Sequence, residues 1–260
     1  MAQYQARTTL NPMRGIGSSI SFAFGNLLHP KMLWLMVWPV LVATGIWGAA
    51  AIWSWAGLVA WLAGVLRHWI ETATFFVHWD ASTVALFAAK VLVILGLVPL
   101  IQLTALLILG VFGMPAMVDH VAGRAFPDLV RRRGGSFTGS VWNSIVGVAG
   151  LLLLGALSIP FWIFPPLWPA IPVAMMGWVN QRVLRYDALA EHADAREMQT
   201  VFSRRRAAMY LLGVVLALVA YIPVIGLFAP VLFGLAFIHY LLAELQALRT
   251  EPIDAEVVPQ

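Results

Sequence analysis

Four stretches of this chain carry no Asp, Glu, Lys or Arg: Met32 to Leu66, Val91 to Val118, Gly134 to Gln181 and Ala207 to Ala243. Each is longer than the ~20 apolar residues that cross a bilayer as a helix. A charge at bilayer depth costs about 3 kcal/mol or more, so long uncharged runs are what a membrane interior selects. Charged residues make up only 11% of the 260 residues and hydrophobic ones 61%, against about 25% charged in ordinary soluble domains. The expected product is an all-α integral membrane protein.

The sparse charge is unevenly placed. All Lys and Arg except Arg67 and Lys90 lie in the N-terminal arm, in Arg124 to Arg133, in Arg182 to Arg206, or at Arg249. The positive-inside rule puts those segments in the cytoplasm, with both termini inside, Arg67 to Asp80 outside, and the inner (plasma) membrane as the location. The net charge of +4 raises the alternative of nucleic-acid binding. Basic residues that flank apolar spans are accounted for by orientation, so no nucleic-acid partner is expected. The chain has no cysteine, which excludes disulfides, thiolate metal sites and a cysteine nucleophile. The first thirty residues show no short apolar core with a small-residue cleavage site, so no cleaved signal peptide is expected.

Met13, Ile16, Ile20, Phe24, Leu27 and Leu28 recur at helical spacing, with Ser18, Ser19, Gly25 and Asn26 filling the other face. Such a helix lies in the membrane interface or packs on the cytoplasmic end of a bundle. Span one, about Lys31 to Leu66, would be roughly 50 Å long against ~30 Å of hydrocarbon. It must tilt, bend near Pro39, or project. Span two runs from about Ser82 to Val118. An inner loop ending in "RRRGGS" follows, with Ser136 or Ser140 as a cap for the next helix.

The stretch "IPFWIFPPLWPAIP", Ile159 to Pro172, is rich in proline yet lies in the middle of a charge-free run. Starting inside at about Ser140, the chain must return inside by Arg182. Pro160 cuts the first arm at ~20 residues and Pro172 is expected to shorten the second to about ten, only ~15 Å of helix. The turn Pro165 to Pro169 then lies within the membrane, shielded from lipid, where charge is excluded and proline offers no N–H needing a partner. "AYIPVIGLFAPVLFG", Ala220 to Gly234, repeats the plan, with Val224 to Ala229 as its turn. Paired, interrupted segments of this kind mark midplane sites in transporters. The single membrane domain therefore reads as an interfacial arm 1–30, two long spans 31–118, hairpin one 140–181, a cytoplasmic helix 182–206, hairpin two 207–248 and a tail 249–260. In fold class it is two long transmembrane helices plus two Pro-broken, partly inserted helical hairpins and a cytoplasmic helical segment.

Candidate anion-binding or pathway residues are Lys31, Lys90, Gln102, Thr104, Asn143, Ala170 and Val231; Pro165, Pro166, Pro169, Pro223 and Pro230 are structural turns. Ala170 and Val231 begin the second arms, where free N–H groups and the helix dipole favour an anion without any arginine. Against these stand plainer readings. Lys90 snorkels outward, Gln102 and Thr104 bond between helices, and Asn143 caps a helix. "YDAL", Tyr186 to Leu189, anchors the inner end of hairpin one through an Arg–Asp or Asp-cap contact. His78 with Asp80, and Asp119 with His120, lack metal-ligand spacing and a third ligand, while His192 and Asp194 belong to a solvated helix. No catalytic constellation is present, so neither an enzyme, a metal nor a cofactor is expected.

"NLLHPKMLWLMVWPVL", "RYDALAEHADAREM" and "IPVIGLFAPVLFGLAFIHYLLAELQALR" resemble the etoposide-induced-protein/CysZ-like membrane family, which includes the CysZ sulfate permeases. The resemblance implies two long transmembrane helices, two helix pairs that partly penetrate the bilayer, homo-oligomeric assembly, and sulfate uptake. In the sulfate permeases a Gly-Leu-Arg-type motif before the first long helix is tied to sulfate binding. With Pro30 and Pro39 as the frame, its basic pair falls on Leu33 and Trp34, and Lys31 is the nearest cation. The implied partners are the bilayer, a small anion and further copies of the chain. The alternative is a non-transporting membrane scaffold or lipid-interacting protein of the same fold.

Overall fold

The computed structural model describes residues 12–72 and 80–250. Among them every regular element is a helix: α1 Pro12–Leu27, α2 Pro30–Thr72, α3 Ala81–Ile108, α4 Met114–Ala125, α5 Phe137–Ser158, α6 Ala170–Leu189, α7 Ala195–Arg204, α8 Arg206–Ala220, α9 Pro223–Leu227 and α10 Ala229–Thr250. Pro30–Thr72, Ala81–Ala125, Thr138–Ile163 and Ala229–Thr250 are each long and apolar enough to cross a membrane. The expected outer loop falls largely on residues 73–79, including His78, and with residues 1–11 and 251–260 lies outside the described part.

The chain divides into two compact units, Trp34–Val111 and the rest. The first holds the two long helices. With 43 residues, α2 is about 65 Å long, and α3, with 28, about 42 Å. Both exceed the hydrocarbon thickness, as the length of span one requires. Buried positions on α2 recur every eight residues: Leu35, Ala43, Ala51 and Val59. On α3 the buried positions are Ala85, Ala89 and Ala105. Most of the remaining surface is apolar, much of it exposed, with Trp53 at 94% and Ile52 at 84%. In water such a surface would aggregate; against lipid tails it costs nothing. Asp80 starts α3, accepting from the Ser82 N–H at 3.1 Å and from the hydroxyls of Ser82 and Thr83. The Ser82 and Thr83 bonds hold its carboxyl down to about 2. A π-turn, Leu109–Gly113, leads from α3 into α4.

The other unit is a bundle built around α10, whose residues are buried on every side from Val231 to Leu245. It packs against α1, α4, α6, α7 and α8. Hairpin one is antiparallel. Going up α5, Gly139, Gly147, Gly150 and Gly155 meet Tyr186, Val183, Trp178 and Met175 going down α6. A Cβ at the first three would push these side chains aside, so glycine lets the two arms pack this closely. Ser136 caps α5 by accepting from the Gly139 N–H at 3.1 Å.

The proline turn accounts for some of its own polar groups. Pro160, Pro165, Pro166 and Pro169 have no N–H, and Phe164, Leu167 and Trp168 donate back to Phe161, Phe164 and Pro165. The Trp168 indole donates to the Trp162 carbonyl at 2.8 Å. These bonds serve part of the turn's backbone without any charged side chain, in keeping with its composition. Hairpin two turns through α9, whose Gly226 lies against the Ala220 carbonyl where a Cβ would collide; Pro223 and Pro230 sit in the first turns of α9 and α10.

Several expectations need correction. Pro172 does not shorten the second arm, because α6 runs through it from Ala170. At the third helical position its missing N–H is one the helix leaves free anyway. What limits the arm is charge: Arg182 follows twelve residues after the start, about 18 Å along the axis. The expected cytoplasmic helix 182–206 is the end of α6, a turn and then α7, with α8 starting at Arg206. Residues 159–170 are exposed throughout, so this chain by itself supplies none of the expected shielding of that turn from lipid. Finally, α1 buries Ser19 and Asn26, the residues assigned to its polar face, and exposes Met13, Phe24 and Leu28.

Candidate functional site

The buried face of α1 finds its reason on α10 and α4. Ser19 Oγ donates to the Gly15 carbonyl at 2.8 Å and lies 3.0 Å from His239 Nδ1 on α10. A serine hydroxyl has one proton. With that proton on Gly15, His239 must be the donor, so its Nδ1 carries the hydrogen. The imidazole is held between Phe22 and Phe126, at ring distances of 4.4 and 5.4 Å. Asn26 follows the same logic. Its amide N–H goes to the Phe22 carbonyl at 2.9 Å, so its oxygen must accept from His120 Nε2 at 3.1 Å. His29 lies against His120, ring to ring at 4.7 Å. Further along α10, Glu244 is 5% exposed and accepts from Arg205 at 2.8 Å.

These groups form a polar seam, Ser19, Asn26, His120, His239 and Glu244, through an otherwise apolar bundle. Ionisable groups inside a membrane bundle are costly and mark functional sites by default. Each here has a partner, so the seam can latch α1 onto α4 and α10. Sequence reasoning missed it. The signal was present in His239 and Glu244 on a helix that is apolar all round, but their partners lie up to 220 positions away.

The expected site residues are scattered. Thr104 accepts from the Trp47 indole at 2.8 Å and so ties α3 to α2. Asn143 is buried and donates to the carbonyls of Arg182 and Val183, at 2.9 and 3.1 Å. It joins the arms of hairpin one rather than capping a helix. Lys90 and Gln102 are exposed among apolar neighbours. Lys31 is exposed in the first turn of α2, where the backbone N–H groups of Lys31, Met32 and Leu33 all bond to His29. The helix start at which the family resemblance places anion binding is thus capped by His29, through its Nδ1 at Lys31 and its backbone carbonyl at Met32 and Leu33. Val231 is fully buried. Ala170 is exposed and, with Pro169, borders a groove of about 530 Å³ lined by Val173, Val214, Tyr210 and Tyr221. Of the two proposed helix starts, Ala170 borders a cavity and Val231 is enclosed by the bundle.

At the basic end of the bundle, charges that orientation alone seemed to explain are paired. Arg249 donates to both Glu197 oxygens, at 2.8 and 2.9 Å, and to the carbonyls of Val130 and His192. Arg132 bridges Asp194 and Glu197, and Arg131 bonds to Asp119 at 2.7 Å. Asp194 and Glu197 form a capping box at the start of α7. The Arg249 bond holds the Glu197 carboxyl below its usual range, and the Glu197 backbone N–H does the same for Asp194. His192 belongs to no solvated helix. It is buried in the turn after α6, and burial lowers its pKa. Asp187 of "YDAL" takes the Ser140 hydroxyl at 2.6 Å, so hairpin one is anchored by a serine and not by an arginine. The described residues contain no group of metal-ligating side chains.

Lipid-length apolar helices, a self-bonded proline turn and a polar seam inside the bundle define an all-α, multi-pass membrane protein. Residues 19–230 match the family described as sulfate transporter CysZ/etoposide-induced protein 2.4, and the chain belongs to that membrane-transporter family. No curated relative and no solved structure matches the chain.

Proposed function

We propose that the protein carries a small inorganic anion, with sulfate as the substrate, across the inner membrane as a homo-oligomer with both termini cytoplasmic. The observation that carries this reading is the family match over 19–230. The start of α6 supports it, since Ala170 is exposed and the free backbone N–H groups of a helix start favour an anion. Lys31 and Lys90, exposed on α2 and α3, would draw anions towards the protein. Thr104, Asn143 and Val231 have lesser parts, because their contacts and burial explain them without a ligand; Gln102 stays an exposed pathway candidate on α3. The inserted turns at Pro165, Pro166 and Pro169 and at Pro223 and Pro230 bring helix ends into the membrane.

Uptake of labelled sulfate into proteoliposomes tests the activity; uptake no greater than in empty liposomes would overturn it. Orientation is read separately, from single cysteines at Thr74 and Ser136 and an impermeant label on intact cells. Labelling at 136 and not at 74 would reverse the topology. A non-transporting, lipid-interacting scaffold is the second reading. It is favoured by one observation: Thr104 and Asn143, two of the pathway candidates, serve as ties between helices.

A further inference from the structure

Some arginines at the basic end are paired with carboxylates and some neighbours are not. Arg131, Arg132, Arg205 and Arg249 each pair with a carboxylate. Arg182, Arg185 and Arg206 have no ion-pair partner among the described residues, although Asp187 lies next to them on α6 and gives its oxygen to Ser140. The three are close enough that Arg182 and Arg206 both oppose the charge on Arg185, after burial itself. The Arg185 guanidinium lies 4.8 Å over the ring of Phe202, and its Nε is buried with no partner. One turn earlier Gln181, 4% exposed, has an amide oxygen equally unpaired. Turning that amide presents an N–H donor in its place.

We propose that Arg182, Arg185 and Arg206, with Gln181, bind a tetrahedral oxyanion of the sulfate or phosphate class where α6 meets the junction of α7 and α8. Three neighbouring cations with no carboxylate paired to them favour a counter-charge, more so where one is half out of water. Planar guanidinium forks match the edges of such an anion. Phe202 holds the face of Arg185 and leaves its edge free. Arg182 is the first charge after the long uncharged run, the level at which lipid phosphates lie. The anion is therefore either a free ion or the headgroup phosphate of an anionic phospholipid.

The site is read by binding, in detergent and without a gradient, so its test is independent of transport. The full chain in an uncharged detergent is titrated calorimetrically with inorganic sulfate and with inorganic phosphate. In parallel it is incubated with phosphatidylglycerol or phosphatidylcholine and weighed by native mass spectrometry. R185L and R206Q are compared with R196Q, which alters an exposed arginine of α7. Arg206 is itself exposed, so R206Q keeps the test open should R185L not fold. Inorganic anion binding weakened about tenfold or more in R185L and R206Q, and unchanged in R196Q, supports the site with a free ion as ligand. Preferential retention of phosphatidylglycerol, lost in the same variants, supports it with a lipid as ligand. No binding of either probe, or equal binding by folded R206Q and the unaltered chain, overturns the proposal.

Discussion

Replacing Gly213 by alanine tests whether α6 and α8 touch backbone to backbone. A Cβ at 213 would lie 2.5 Å from the Gly177 carbonyl oxygen and 3.1 Å from its Cα. That is about 0.9 Å inside ordinary contact, and backbone cannot swing away as a side chain can. Overpacking of this kind costs about 1–3 kcal/mol, and the collision with backbone puts this site near the upper end. Alanine returns about 1 kcal/mol in helix propensity, which leaves a net loss of about 2 kcal/mol. Gly177→Ala meets the Val214 methyl at 2.5 Å and the Val214 nitrogen at 3.2 Å; a methyl can yield, so the loss is smaller. Gly45→Ala on α2 meets nothing within 4 Å and should gain up to about 1 kcal/mol. At about 2–4 °C per kcal/mol for a chain of this size, Gly213→Ala should melt about 4–8 °C below the unaltered protein, with Gly177→Ala between them and Gly45→Ala above. The assay is thermal unfolding of the detergent-purified chain, at one scan rate because membrane proteins seldom unfold reversibly. Gly213→Ala melting at or above the unaltered protein would refute the close approach.

The polar seam yields an asymmetry: Ser19→Ala leaves the half-buried His239 Nδ1–H without an acceptor and should cost about 1 kcal/mol. His239→Phe removes the donor and keeps the ring between Phe22 and Phe126, so it should cost less; the reverse order of melting temperatures would contradict the assigned tautomer. Acid should loosen α7. The Asp194 and Glu197 carboxyls are lowered in the folded chain, so their contribution is complete above the ordinary carboxylate range near about 4 and is lost as pH falls through their lower folded values. Melting followed from pH 7 downward should be level until about pH 4 and then drop, with a shallower drop in Glu197→Gln. Arg133 holds φ 49°, a left-handed conformation that strains a residue with a Cβ. Arg133→Gly should therefore raise the melting temperature by a few degrees, equivalent to roughly 0.5–1 kcal/mol, and a fall would show that the side chain has a stabilising role.

What the sequence makes legible here are properties that a residue has by itself. The uncharged runs give the four long apolar helices, because the penalty for a charge in lipid does not depend on which neighbour it meets. The turns at Pro165 and Pro223 are legible for a related reason, since a missing N–H and a fixed φ act wherever the residue stands. Pro172 shows the limit of that argument. Whether proline stops a helix or starts one depends on register, and the register of α6 is set by its antiparallel contact with the glycines of α5. The fate of each polar side chain is a property of pairs. Ser19, Asn26 and Asn143 look alike in a sequence window, yet the first two receive histidine protons from α10 and α4 while the third clamps two backbone carbonyls of α6. Arg249, at the edge of the expected tail, looks like an orientation charge and instead holds α7, α10 and the loops at Val130 and His192 together. The same pairing logic gives Arg182, Arg185 and Arg206 their meaning: where neighbouring arginines have taken the available carboxylates, three left without one favour an anion from outside the chain.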